Sequence, residues 1–175
     1  MGMERLFTHI IGTPVVDDDL KRPIALIRDV VIDPERGVIV ALIVNGNKNL
    51  VIAPVDILSW GDTIRIHSRD AIVEGNEILR VAEVQKKGIK IFHNRVETGK
   101  KEYIGEVIDF SIDSHSLTLK KIYTSKSFLG LIRYDSRIIP AKNIEEILID
   151  KIIVKGNFQK VREESGALIE ELAAG

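Results

Sequence analysis

Ile24-Ala25-Leu26-Ile27-Arg28-Asp29-Val30-Val31-Ile32-Asp33 aligns without gaps to Ile104-Gly105-Glu106-Val107-Ile108-Asp109-Phe110-Ser111-Ile112-Asp113. The offset is 80 residues, and Ile24, Asp29, Ile32 and Asp33 recur identically at Ile104, Asp109, Ile112 and Asp113. A turn-forming stretch follows each segment, Pro34–Gly37 in one and Ser114–Ser116 in the other, and then an apolar run, Val38–Val44 or Leu117–Tyr123. Further on, Ile52-Ala53-Pro54 corresponds to Ile138-Ile139-Pro140, with Ile57-Leu58 or Ile144 after it. Four identities in ten residues are within reach of chance, but the shared order of strand, turn, strand and proline argues for duplication rather than one large fold.

Short runs rich in Val and Ile, bounded by turn residues, read as strands. Pro34 presets the first turn position after Asp33, and Gly37 supplies the positive φ needed near its end, so Ile24–Ile32 and Val38–Val44 form a hairpin. The Asn/Gly-rich stretch from Asn45 to Asn49 is a second turn, leading to a strand at Leu50–Ala53. Ile64-Arg65-Ile66-His67 alternates apolar and polar residues, as a half-buried strand does. In the second copy the corresponding connection is longer, Thr124 through Asp135. The polar Gln85-Lys86-Lys87-Gly88 is the seam. The domains predicted are 1–85 and 88–156, followed by a tail, 157–175. There Phe158, Val161, Leu168, Ile169 and Leu172 fall at helical spacing among charged residues, with Asn157 as N-cap and Gly166 as a weak point. The fold class is all-β, with two tandem small β-barrels and a short C-terminal α-helix.

Composition narrows the function. Lys and Arg total 25 against 26 Asp and Glu, and the halves differ little: residues 1–87 hold 11 basic and 13 acidic groups. Such balance removes the field on which a general nucleic-acid or anionic-membrane binder relies. The chain has no cysteine, which excludes disulfides, thiolate metal sites and cysteine nucleophiles. The opening Met1-Gly2-Met3-Glu4-Arg5 lacks the order of a secretory signal, and the longest apolar run, Val38–Val44, is far short of a membrane-spanning helix. The expected address is the cytoplasm, at a membrane periphery only through a partner and without direct insertion.

No residue pattern supports an enzyme. His9, His67, His93 and His115 are scattered, and no HExxH, phosphate-binding Gly loop or nucleophile elbow is present. Asp17-Asp18-Asp19 lacks the alternating carboxylates and central Gly of a calcium loop and reads as a solvated turn. Asp29 with Asp33, and Asp109 with Asp113, repeat a spacing of four, which on a strand separates the carboxylates by about 13 Å, too far for an acid–base pair. Asp33 and Asp113 each begin a turn, which points to a structural cause. No catalytic, cofactor-binding or metal-ligating residue is assigned, and no cofactor is expected.

The motifs resemble the PRC-barrel family, a small β-barrel named after the H subunit of the photosynthetic reaction centre. Gly12-Thr13-Pro14-Val15-Val16 resembles its opening strand, and Ile104-Gly105-Glu106-Val107-Ile108-Asp109 with Asp113 its central strand. Ile52-Ala53-Pro54-Val55-Asp56-Ile57 and Ile138-Ile139-Pro140-Ala141-Lys142-Asn143-Ile144 resemble its late proline-bearing element. The first copy departs from the pattern at Ala25, where the family has glycine. The likeness covers roughly residues 8–155 and its motifs are mostly structural. It implies two tandem PRC-type barrels and a docking module without catalytic residues. The family also supplies the C-terminal half of the ribosome-maturation protein RimM, but nothing in residues 1–80 resembles RimM's N-terminal barrel.

Two segments are expected to make contacts. Phe128, Leu129, Leu131, Arg133 and Tyr134 form an aromatic and arginine-bearing apolar stretch in the long connection of the second copy. Phe158, Val161, Leu168 and Leu172 line the tail helix, which docks on its own barrel or on another chain. Trp60, beside Gly61-Asp62, is read as a barrel plug. The expected function is a non-enzymatic adaptor or scaffold that binds protein in a cytoplasmic or membrane-peripheral assembly, with a homodimer left open. The alternative is a ribosome- or RNA-associated maturation factor that uses the barrel as RimM does, which the charge balance disfavours.

Overall fold

The computed structural model describes residues 3–45, 49–128 and 132–156, apart from the side chains of Phe128 and Ile132. The chain is mostly β and gathers into two compact units. The first is built on His9–Gly88 and takes in the turn Asp113–Thr118. The second is built on Ile89–Ile112 and on the chain from Leu119, and takes in Leu6–Thr8. A short strand, β1 (Glu4–Leu6), and a single helical turn, α1 (Phe7–Ile10), open the fold.

The first unit holds β2 (Pro14–Asp17), β3 (Arg22–Asp33), β4 (Val38–Val44), β5 (Leu50–Ile52), β6 (Ile57–Trp60), β7 (Ile64–Ile66) and β8 (Ile72–Glu74), then helix α2 (Leu79–Lys86). Strand β2 runs antiparallel to β3 and parallel to β7, while β6 closes against β7. Strands β3, β4, β5 and β8 follow one another antiparallel. Ile27, Leu42, Ile52, Ile64 and Ile66 are fully buried in its core. Helix α2 lays Val81 and Val84 over Val31, Ala41 and Val51. The sequence reading missed this helix because Gln85-Lys86-Lys87 look like a polar seam. So short a helix is stabilised by packing its apolar stripe, not by propensity; Val81 and Val84, three residues apart, were the available signal.

The second unit contains β9 (Arg95–Thr98), β10 (Tyr103–Asp113), β11 (Thr118–Phe128), β12 (Ile132–Pro140), β13 (Ile144–Ile147) and β14 (Lys151–Val154). Its pairings repeat those of the first: β9 is antiparallel to β10 and parallel to β14, and β13 closes against β14. The loops match bond for bond. Gly12 N–H donates to Ile27 O at 2.8 Å and Ile27 N–H to Thr13 O at 3.0 Å. In the second copy His93 N–H donates to Val107 O and Val107 N–H to Asn94 O, both at 2.9 Å. Positive φ recurs at the same points, at Gly12 and His93, at Lys21 and Lys101, and at Gly37 and Leu117. After the long strand Gly37 N–H donates to Asp33 O and Leu117 N–H to Asp113 O, both at 2.8 Å.

The expected barrels are curled, open sheets in the pairings of the described residues. Strands β6 and β13 each have four residues, and their register slips between Ile57 and Ser59 and between Ile144 and Glu146, with pairing resumed beyond the bulge. The predicted C-terminal helix, 157–175, lies outside the described residues.

One glycine is dictated by packing. Gly105 stands opposite Val96 at a register shift, with φ of +152°, and a Cβ there would meet the backbone C and O of Ser125 at 2.8 Å. Its counterpart Ala25, opposite Val15, has no positive φ and tolerates a side chain. Gly105→Ala is therefore expected to destabilise the protein by about 3 kcal/mol in urea unfolding, combining backbone strain with overpacking. A loss below about 0.5 kcal/mol, the range of an ordinary surface substitution, would show that β10 and β11 do not approach this closely.

Candidate functional site

Of the repeated aspartates, Asp33 and Asp113 hold turns. Asp33 is buried at the end of β3, where its carboxylate accepts the Glu35 N–H at 3.0 Å and pairs with Arg80 of α2. Burial alone would raise its pKa; Arg80, the Glu35 N–H and Arg36 outweigh that and leave it below the ordinary value. Asp113 accepts the N–H groups of His115 at 2.9 Å and Ser116 at 2.8 Å. Asp109 is fully buried and accepts the Thr8 hydroxyl at 2.6 Å and the Phe110 N–H at 2.7 Å, and the neighbouring rings of Phe7 and Phe110 stack on each other. Asp17 is buried rather than solvated: it accepts the N–H groups of Leu20 and Arg69 at 2.9 and 3.0 Å. These carboxylates are spent on backbone and side-chain donors, and among the described residues no three His, Asp or Glu come together to hold a metal ion.

Two surfaces remain. The first is the arm made by β11 and β12, of eleven and nine residues where the first copy has seven in β4 and three in β5. Its base is tied by charge. Asp135, at φ 50°, pairs with Lys126 at 3.2 Å across the hairpin and with Arg137 at 2.9 Å along its own strand. The Ser125 hydroxyl donates to Tyr134 O at 3.2 Å. The Arg137 guanidinium, against the opposing effect of burial and with help from Lys126, holds the Asp135 carboxyl below its ordinary value. Toward the tip the backbones of Phe128 and Ile132 face each other. Arg133 is exposed and Tyr134 is 52% exposed. Leu129 and Leu131 lie outside the described residues, as do Phe158, Val161, Leu168 and Leu172. Of the expected contact residues, Arg133 and Tyr134 are exposed, at successive positions of β12.

The second surface, in the first unit, went unnoticed in the sequence. A groove of about 280 Å³ runs between Pro54–Trp60 and the turn Ser114–Leu117. Trp60 lines this groove, only partly buried, instead of plugging the core, and its indole N–H has no acceptor among the described residues. Beside it Val55 is 90% and Leu58 55% exposed. Comparison of the two copies along their late elements would have found the apolar Val55 and Leu58, though not the groove itself.

The model of one known family, the PRC-barrel domain, matches residues 3–80, less than half of the chain. No curated protein matches it. No helix among the described residues is long and apolar enough to cross a membrane.

The arm supplies a test with a definite sign. A depressed carboxylate pKa contributes stability that is present above the ordinary value of 3.8 and lost as pH falls through the folded-state value. Amide protection factors along Lys126–Phe128 and Arg133–Asp135 are expected to be level near neutrality and to fall below pH 3.8. Asp135→Asn should lower them at neutral pH and remove the acid-side drop; an unchanged profile would detach the ion pairs from the order of the arm.

Proposed function

We propose that the protein, whose residues 3–80 match the PRC-barrel domain, is a non-enzymatic adaptor made of two PRC-type modules in tandem, and that its second module grips a protein partner with the β11–β12 arm. The observation that carries this reading is the arm itself. The copies share their pairings and loop hydrogen bonds, so added length in one copy is not required by the fold. The extra residues are tied at the base by Lys126, Asp135 and Arg137 and offer Arg133 and Tyr134 to solvent. A pre-ordered element loses less entropy on binding, and Tyr and Arg are residue types that concentrate binding energy. The tandem arrangement is supported by the matched topology and by turns of positive φ that recur 80 or 81 residues apart.

A protein partner suits this surface better than RNA. Chain-wide charge is balanced, and the two cations at the base of the arm are already paired with Asp135. The expected setting is a cytoplasmic or membrane-peripheral assembly.

Tagged protein captured from its native host's lysate, with nuclease present, tests the proposal. Replacing Arg133 and Tyr134 together with Ser is expected to abolish capture of the partner while shifting Tm by less than about 2 °C, as suits exposed positions. Recovery of ribosomal proteins that disappears with nuclease would replace the adaptor reading with the RNA-associated one.

A further inference from the structure

Strand for strand the copies correspond, β2 to β7 with β9 to β14, and their register fixes how the sequences align at the end. Val15 and Val96 each lie two residues past the loop hydrogen bonds that match Thr13 to Asn94, and both are fully buried. Val15 faces Ile64 in β7 and Val96 faces Ile152 in β14, so Ile64 answers to Ile152, an offset of 88 residues. In the first copy the chain then goes on to β8, which pairs with the outer edge of β5, and to α2, whose Val81 and Val84 cover the sheet. Among the described residues the second copy has neither element, and β12, which stands where β5 does, pairs with β11 alone. Carried on without a gap, the same offset sets Val161 at the place of Val73, Ile169 at Val81, Glu171 at Glu83 and Leu172 at Val84. The apolar matches are the middle residue of β8 and both residues that α2 buries.

We propose that residues 160–172 complete the second copy as β8 and α2 complete the first: residues 160–162 run along the outer edge of β12, and a helix sets Ile169 and Leu172 on the sheet. Three observations favour this segment as the occupant. First, its place is set by register. Ile122 faces Ile139 as Leu42 faces Ile52, so Ile138 stands at Val51 and takes Val161 opposite it, as Val51 takes Val73. Second, sheet and tail differ from the first copy in a complementary way. Lys121 stands where Ala41 lies beneath α2, and Glu170 stands at Ala82, the half-buried flank of the helix stripe. A cation brought under a helix is stabilised by a carboxylate on that helix, while its stem packs on the sheet. Third, the segment follows β14 directly, and so short a tether presents it to β12 at an effective concentration of roughly millimolar. A separate chain of equal affinity is outcompeted below that concentration.

The tail thus belongs to the fold of the second copy and is not a surface offered to a partner. This inference rests on the matched topology of the copies and not on the adaptor role, which the capture by Arg133 and Tyr134 tests separately. The chain has no cysteine, so a pair of introduced thiols reports its own neighbourhood without background. Facing residues of antiparallel strands bring their Cβ atoms within reach of a disulfide. Ile138→Cys with Val161→Cys in the full chain, oxidised with glutathione disulfide, is expected to close a disulfide within one chain, read by mass spectrometry of the monomer. Val51→Cys with Val73→Cys, which face each other in the first copy, is the positive control. A disulfide that forms only between two chains overturns the proposal, as does no disulfide under conditions where the control pair closes. Ile169→Asp with Leu172→Asp is expected to lower Tm by at least about 5 °C, to the same extent at low and high protein concentration. An unchanged Tm overturns it too, since a helix that covers nothing loses nothing when its stripe is charged.

Discussion

A carboxylate withdrawn from water at the end of β3 is what binds the first unit together. Burying an unpaired charge costs several kcal/mol, so Asp33 can occupy its place only with donors fixed around it. Those donors come from two directions: the Glu35 N–H of the turn that follows and the Arg80 guanidinium of α2. The turn sets the register of β3 on β4, where Asp33 faces Val38. Arg80 fixes the start of α2, whose Val81 and Val84 then cover Val31, Ala41 and Val51. One side chain thus couples hairpin register to helix docking, and Lys87 on Glu35 repeats the tether at the far end of the helix.

The second copy keeps the turn. Asp113 accepts from His115 and Ser116, and the same Asp-to-fifth-residue hydrogen bond closes the loop. What persists across the copies is therefore backbone geometry, enforced by local carboxylate acceptors and residues of positive φ. What has diverged is side-chain chemistry on the outside: Leu117 for Gly37, Lys142 and Glu145 for Val55 and Leu58, and a long hairpin for a short one. Divergence at surfaces is the expected signature of modules that differ in what they touch.

Much of the architecture was legible because periodicity and turn chemistry act locally. Ile24–Asp33 and Ile104–Asp113 announced both long strands, and Pro34 with Gly37 announced the hairpin between β3 and β4. The structural role of Asp33 and Asp113 followed from their place before turns. Helix α2 was not legible, because eight residues carry too little periodic signal and its lysines resemble a linker. The groove was not legible either, since its walls come from residues more than fifty positions apart in the sequence. The arm was readable as a longer hairpin with an apolar tip. The ion pairs of Asp135 were not, because they depend on the register slip between Thr124 and Lys126.

Bulges also decide how these units can meet other molecules. A free sheet edge ordinarily invites pairing along the backbone, and a bulge or a charge on the edge is the usual defence. Strands β6 and β13 both carry the bulge, so neither offers a continuous ladder to an incoming strand. Recognition at these edges must then be made by side chains. On β13 the exposed side chains are Glu145 and Glu146, which repel an acidic neighbour and stay hydrated beside anything else. On β6 the bulged residue is Leu58, turned outward next to Val55 and the uncharged groove. The same backbone device that blocks aggregation in one copy therefore presents an apolar knob in the other, and a single pair of side chains determines which of the two an edge becomes.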